Sequence, residues 1–308
     1  MNTESSAMRE LRESSQAVPA AAMPVRPFYW SVRRELWEYR SLYLAPLAVA
    51  AVAVLGFSIS AIAGIWEKAL RIHAMQGREA IAAPYDTTAG LMMFTGIVVS
   101  VFYCLDALHG ERRDRSILFW KSLPVSDVTT VLAKASIPLL VLPLICFAVS
   151  VAMHVVMLVV SSAVVTARGQ SAATLWSDLS VGRMWLLLLY HFLTAHALWP
   201  FPVYCWLLLV SGWSRRAPLL WAVLPVLVIG GIERMVFHSW HVLELVGKRL
   251  IGAAPAFETV APEKFPSGPM THITPERFLS SYGLWVGLAF AAIFLAAAVR
   301  LRRDRGPI

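Results

Sequence analysis

Charge is the scarcest resource in this sequence. Only 15% of its 308 residues are Asp, Glu, Lys or Arg, against about a quarter in a soluble domain. So few charges cannot cover the surface of a water-soluble fold. Cysteine is almost as rare, with Cys104, Cys146 and Cys205 each inside an apolar run. The absence of a CxxC pair or a histidine at ligand spacing leaves them as small buried hydrophobes and excludes a zinc-ribbon type of site. The chain lacks the GxxxxGK[ST] phosphate loop, and its one Gly-Lys pair, Gly247-Lys248, is followed by Arg249, so it is not expected to bind ATP in that way itself. GxSxG and HExxH are also missing, and no paired carboxylates stand at helical spacing within an apolar run. Serine hydrolase, zinc protease and glycosidase chemistry are therefore set aside, and no catalytic residue or metal ligand is expected. Acidic residues are outnumbered 19 to 27, but the basic ones sit in short clusters between apolar runs. They form no continuous face, so nucleic acid is not an expected partner.

What the chain has instead is hydrophobicity, 58% of residues and a mean hydropathy of +0.63. The apolar residues come in runs of about 20 or more, the length a helix needs to cross roughly 30 Å of hydrocarbon. Spans are expected near 42–65, 88–108, 135–160, 184–210, 217–236 and 280–299. Each must be helical, because a backbone in lipid has to satisfy its own hydrogen bonds and no dyad alternation of a membrane barrel is visible. Residues 1–26, rich in Ser, Glu, Ala and Pro, are expected to form a disordered cytoplasmic tail without a signal peptide. About 17 of the 27 Lys and Arg fall on the face that carries both termini. The positive-inside rule makes that face cytoplasmic.

Residues 28–39, FYWSVRRELWEY, partly segregate aromatics from cations around a helix, which predicts an interfacial helix leading into the first span; an ordinary aromatic belt is the plainer alternative. Pro138, Pro143, Pro200, Pro202, Pro218 and Pro225 predict kinks in the third to fifth spans. Beyond the fifth span, HSWHVLELVGKRL has apolar residues at helical spacing and predicts a surface helix before a proline-rich irregular stretch.

The most informative segment is 109–134. Charges crowd into Glu111, Arg112, Arg113, Asp114 and Arg115, then Ile117, Leu118, Phe119 and Trp120 form an apolar patch before Pro124. A short amphipathic helix is expected, with Ser126 and Asp127 as caps for the next helix. Both signs of charge on a short helix suit a groove on another protein better than a lipid surface, which would select cations alone; a solvated loop sorted by positive charge is the alternative. Glu111-Arg112-Arg113, Ser116, Ile117-Leu118, Pro124-Val125-Ser126 and Lys134 together make this loop resemble that of the type 2 ABC exporter permeases. The chain departs from that pattern by having Arg115-Ser116-Ile117 where many relatives have a Gly-Thr pair, and by its long last external loop. The resemblance implies an all-α integral membrane protein with about six transmembrane helices, an N-terminal interfacial helix and a short cytoplasmic coupling helix, residues 27–308 forming one permease domain. It further implies an inner-membrane location, a second permease chain as partner, and a separate cytoplasmic ATPase that supplies ATP and Mg. Glu111, Arg112, Arg113, Asp114, Arg115, Ser116, Pro124, Val125 and Ser126 would then couple to that ATPase.

Polar groups within spans are costly and tend to face a cavity or a partner. His154, His191 and His196 are the candidates for a substrate path, with Asp106 a further polar residue. His191 and His196 point about 140° apart on an ideal helix, which disfavours a shared metal. Neutral histidines bonded to neighbouring helices are the plainer reading. An ion-coupled secondary transporter, a haem-type membrane enzyme and a non-transporting scaffold are the rival functions, and the first lacks the repeated halves and midplane carboxylate it should show.

Overall fold

The computed structural model describes residues 26–64, 78–169, 171, 173, 181–251 and 275–306, and among them every regular element is helical. The order is α1 (Pro27–Glu38), α2 (Ser41–Ile62), α3 (Arg78–Asp106), α4 (His109–Arg113), α5 (Ser116–Ser122) and α6 (Asp127–Ser136). A π-helical turn, Ile137–Val141, leads into α7 (Leu142–Ala167), and α8 (Val181–His191) runs through a second one, Phe192–Leu198, to α9 (Phe201–Trp213). Then come α10 (Pro218–Phe237), α11 (His241–Ile251), α12 (Pro275–Leu279) and α13 (Tyr282–Asp304). The expected tail falls outside the described residues except for Arg26, as does the proline-rich stretch up to residue 274.

Among the described residues, five helices are long and apolar enough to cross a membrane, six if the bent α8–α9 pair is one span. This is a multi-pass membrane protein. The third expected span, 135–160, is part of a continuous 41-residue helical run, Asp127–Ala167. Its start is fixed by Ser126, whose Oγ accepts the Thr129 amide at 3.0 Å. Pro138 does not break that run, because the wide π-helical turn around it absorbs the lost amide. The fourth span is a different matter: Pro200 and Pro202 bend it by 44° between Leu198 and Phe201. Pro225, by contrast, lies inside an unbroken α10. Replacing Ser126 with Ala should cost about 1 kcal/mol, read as a lowered unfolding midpoint that Ser126→Asp restores.

Burial identifies the centre of the bundle. Half of the apolar window of α3 is buried, against 17% for α2 and 11% for α10. Helix α3 is therefore wrapped by α2, α7 and α9, while α13 packs along α9. The core at these contacts holds Met92, Met93, Cys104, Leu142, Cys146, Met157, Cys205 and Leu208. The approach is close where Gly96 faces the Cys146 Sγ, since a Cβ there would sit 3.4 Å from it. In contrast, α10 exposes Leu219, Leu220, Leu227, Ile229, Ile232 and Met235 along its length. A surface of that kind needs a nonaqueous or protein cover.

Candidate functional site: the charged end of the bundle

The loop between α3 and α6 folds as two helices, not one, and its two halves face opposite ways. The Leu108 and His109 amides that open α4 both donate to the Ser211 Oγ on α9, at 3.0 and 2.8 Å. That pins a single turn in which Glu111 and Arg112 point inward and are buried. Arg115 then adopts a left-handed conformation with φ 59°, the region glycine enters at least cost. Turning the chain there ends α4 and launches α5.

Inward, the loop is rooted in a cluster of charged side chains from three other helices, α1, α6 and α13, joined by a tyrosine of α3. Lys134 of α6, fully buried, places its Nζ 2.9 Å from Glu35 Oε1, 3.1 Å from Glu35 Oε2 and 3.2 Å from Glu111 Oε1. Arg34 of α1 donates to the same two oxygens, Glu35 Oε1 and Glu111 Oε1, at 2.6 Å each. Arg302 of α13 reaches Glu111 Oε2 at 3.5 Å and pairs with Asp127 of α6. Tyr103 of α3 donates to Glu35 Oε2 at 2.8 Å. Three cations thus meet the carboxylates of Glu35, Glu111 and Asp127, with the more exposed Glu38 a fourth at 3.5 Å from the Arg34 Nε. Pairing matters here because each buried ion carries a desolvation penalty of several kcal/mol unless it is paired and bonded. At Arg34 burial opposes the charge, but Glu35 and Glu111 outweigh it and hold the guanidinium above its ordinary pKa.

Arg112 extends the junction by a different chemistry. Its Nη1 donates to the Gly212 and Ser214 carbonyls, at 2.7 and 3.3 Å, and its Nε to the Gly306 carbonyl at 3.2 Å. Those groups close α9 and follow α13, where carbonyls lack intrahelical partners. Lys121 of α5 likewise holds the Arg303 and Arg305 carbonyls at 3.2 and 3.3 Å. The side chains of α4 and α5 are thus bonded to α1, α6, α9 and the end of α13.

Outward, the loop presents a mixed face. Arg113, Asp114 and Arg115 are exposed, as are Leu118 and Phe119 at about 60% each. Arg113 pairs with Asp114 at 2.9 Å, and Trp120 is covered by the Arg34 guanidinium at 4.0 Å from its ring. The Ser116 Oγ donates to the Glu111 carbonyl at 3.4 Å, and Pro124, Val125 and Ser126 form the turn into α6. No family model, curated protein or solved structure matches this chain.

Of the nine loop residues singled out in the sequence, the structure therefore brings Glu111 and Arg112 into the interior, leaves Arg113, Asp114 and Arg115 outside, and uses Ser116 and Ser126 locally. Arg34, Glu35, Tyr103, Asp127, Lys134 and Arg302 complete the cluster. The available signal for them was charge at the margins of apolar helices, with Asp127 and Lys134 seven apart and so on one helical face. Partner choice across 99 residues, as between Glu35 and Lys134, has no local signature.

Among the described residues the three histidines form no metal-holding group. His154 shares its Nε2 with the Tyr85 carbonyl at 3.2 Å and the Thr88 hydroxyl at 3.4 Å, tying α7 to α3. His191 bonds through Nδ1 to the Leu187 carbonyl at 2.9 Å, within its own helix. His196 is buried beside a small cavity lined with Met93, Gly96, Cys146 and Phe192. Asp106 lies elsewhere, accepting from Tyr39 at 3.3 Å at the charged end.

Proposed function

We propose that the chain is the transmembrane subunit of an ATP-driven exporter of the ABC type, paired with a second permease chain in a bacterial inner membrane. The observation that carries this reading is the two-faced loop. Its outer face offers a compact, mixed-charge and apolar platform, and its inner face is rooted in the ends of helices that run through the bundle. A solvated loop needs no such root. A lever needs one, because force applied at Arg113, Asp114 and Phe119 has to reach the spans without being lost in side-chain motion. The likeness of the loop to the type 2 exporter permeases supports the same assignment, as does an N-terminal helix, α1, that exposes Phe28, Tyr29, Trp30 and Trp37 and stacks Arg33 between Trp30 and Trp37. Both termini and the α4–α5 loop are then cytoplasmic.

ATP and Mg belong to the partner ATPase, and binding there would draw the two α4–α5 platforms of a dimer together. The experiment is co-purification from the native membrane. The tagged chain should bring down an ATP-hydrolysing subunit, and a chain that purifies with no such activity under mild extraction would count against the assignment.

A further inference from the structure

The bend in the fourth span is gripped from the opposite end of the bundle. At the break the Val203 and Tyr204 amides both turn to the Pro200 carbonyl, at 2.8 and 3.2 Å, so the Trp199 carbonyl loses the amide that a regular helix would give it. A carbonyl in an apolar interior needs a donor. Arg249, at the end of α11, supplies it with Nη1 at 3.0 Å, donates through Nη2 to the Gly283 carbonyl at the start of α13, and stacks 4.1 Å above the Trp199 ring. Trp199 answers by donating its Nε1 to the Lys248 carbonyl at 3.3 Å. Phe278 of α12 lies against the same indole. Space for the guanidinium is made by Gly287, where any Cβ would collide with it.

Unlike the cations of the charged cluster, Arg249 is buried with no carboxylate partner among the described residues. Carbonyl dipoles offset only part of the desolvation of a guanidinium. The other end of α11 is anchored firmly. Glu233 of α10 accepts the His241 and Val242 amides at 2.8 and 2.9 Å and the Ser239 hydroxyl at 2.7 Å. We propose that α11 is a latch, hinged at Glu233 and closed by Arg249, that holds the bent span and the start of α13 together. Gly283 and Arg302 are 19 residues apart on one helix, about 28 Å at 1.5 Å per residue, so the latch works at the end remote from α4 and α5. It deepens the exporter reading by supplying a gate on the far face, and rests on that reading for its purpose.

Hydrogen exchange on the full chain in lipid nanodiscs, without nucleotide or ATPase, tests it. In Arg249→Met, peptides covering 199–206 and 241–251 should exchange at least tenfold faster and in step, while 27–38 and 127–136 keep the wild-type rate. Gly287→Val should reproduce that pattern by expelling the guanidinium, and Arg249→Lys, able to reach one carbonyl, should fall between. Unchanged exchange in Arg249→Met, or equal acceleration everywhere, would overturn the latch. Because no ATPase is present, either result is independent of whether the loop docks one.

Discussion

Replacing Lys134 with Met should lower the unfolding midpoint of the reconstituted protein by roughly 5 to 8 °C, the shift that corresponds to about 3 to 5 kcal/mol for a chain of 308 residues. The cause is not the loss of an attractive pair as such, since a buried ion pair is often no more stabilising than well-packed apolar residues. It is the residue left behind. Lys134 contacts both Glu35 and Glu111, which are each 1% exposed, and its removal leaves two buried carboxylates sharing Arg34 at 2.6 Å, with Arg302 reaching Glu111 alone at 3.5 Å. A double variant, Lys134→Met with Glu35→Gln, removes one charge of each sign and should recover a large part of the loss. Differential scanning fluorimetry of the four proteins of the cycle measures this. Additive losses in the double variant would show that Lys134 and Glu35 are not coupled.

The second large effect falls on the outer face. Phe119→Asp or Arg113→Glu should leave membrane insertion and the unfolding midpoint at wild-type values, because both side chains are well exposed. Binding of the ATPase subunit, by contrast, should weaken about 30-fold or more, the loss typical of truncating a central apolar or arginine contact worth 2 kcal/mol. Glu111→Gln is the informative comparison. Glu111 belongs to the same charged stretch, yet it faces Lys134, Arg34 and Arg302, so its variant should lose stability first and docking only as a consequence. Titration of the purified ATPase against nanodisc-held variants separates the two phenotypes. Equal binding by Phe119→Asp and the wild type would remove the platform from the interface.

Hydropathy and run length were enough to read the all-helical membrane architecture and most span positions, because lipid leaves a backbone few choices. The Ser126 cap was equally open to inspection, since capping depends on residues three apart. The bend at Pro200 followed from proline's missing amide, whereas the tolerance of Pro138 did not, because a π-helical turn is chosen by the packing around it. In the loop, the sequence pattern gave nine residues one expected role, whereas the structure buries Glu111 and Arg112 and exposes Arg113, Asp114 and Arg115. Which of them face inward depends on Arg115 entering the left-handed region and on Ser211 accepting two amides from about 100 residues away. Arg115 holds a positive φ that glycine would adopt at less cost, and no charge pattern announces it. Arg249 was passed over because it sits in a run of ordinary surface-helix spacing. Nothing local to HVLELVGKRLI announces that its arginine will turn back toward a proline bend fifty residues earlier.

The most direct test concerns the side of the membrane on which α4 and α5 stand. Cys104, Cys146 and Cys205 are buried, so a membrane-impermeant maleimide should report on a single introduced Asp114→Cys, at a side chain that is 62% exposed. Labelling in inverted inner-membrane vesicles, and not in intact spheroplasts, is the predicted result. Labelling from the periplasmic side alone would contradict the account, since a platform facing away from the cytosol cannot meet a nucleotide-driven subunit.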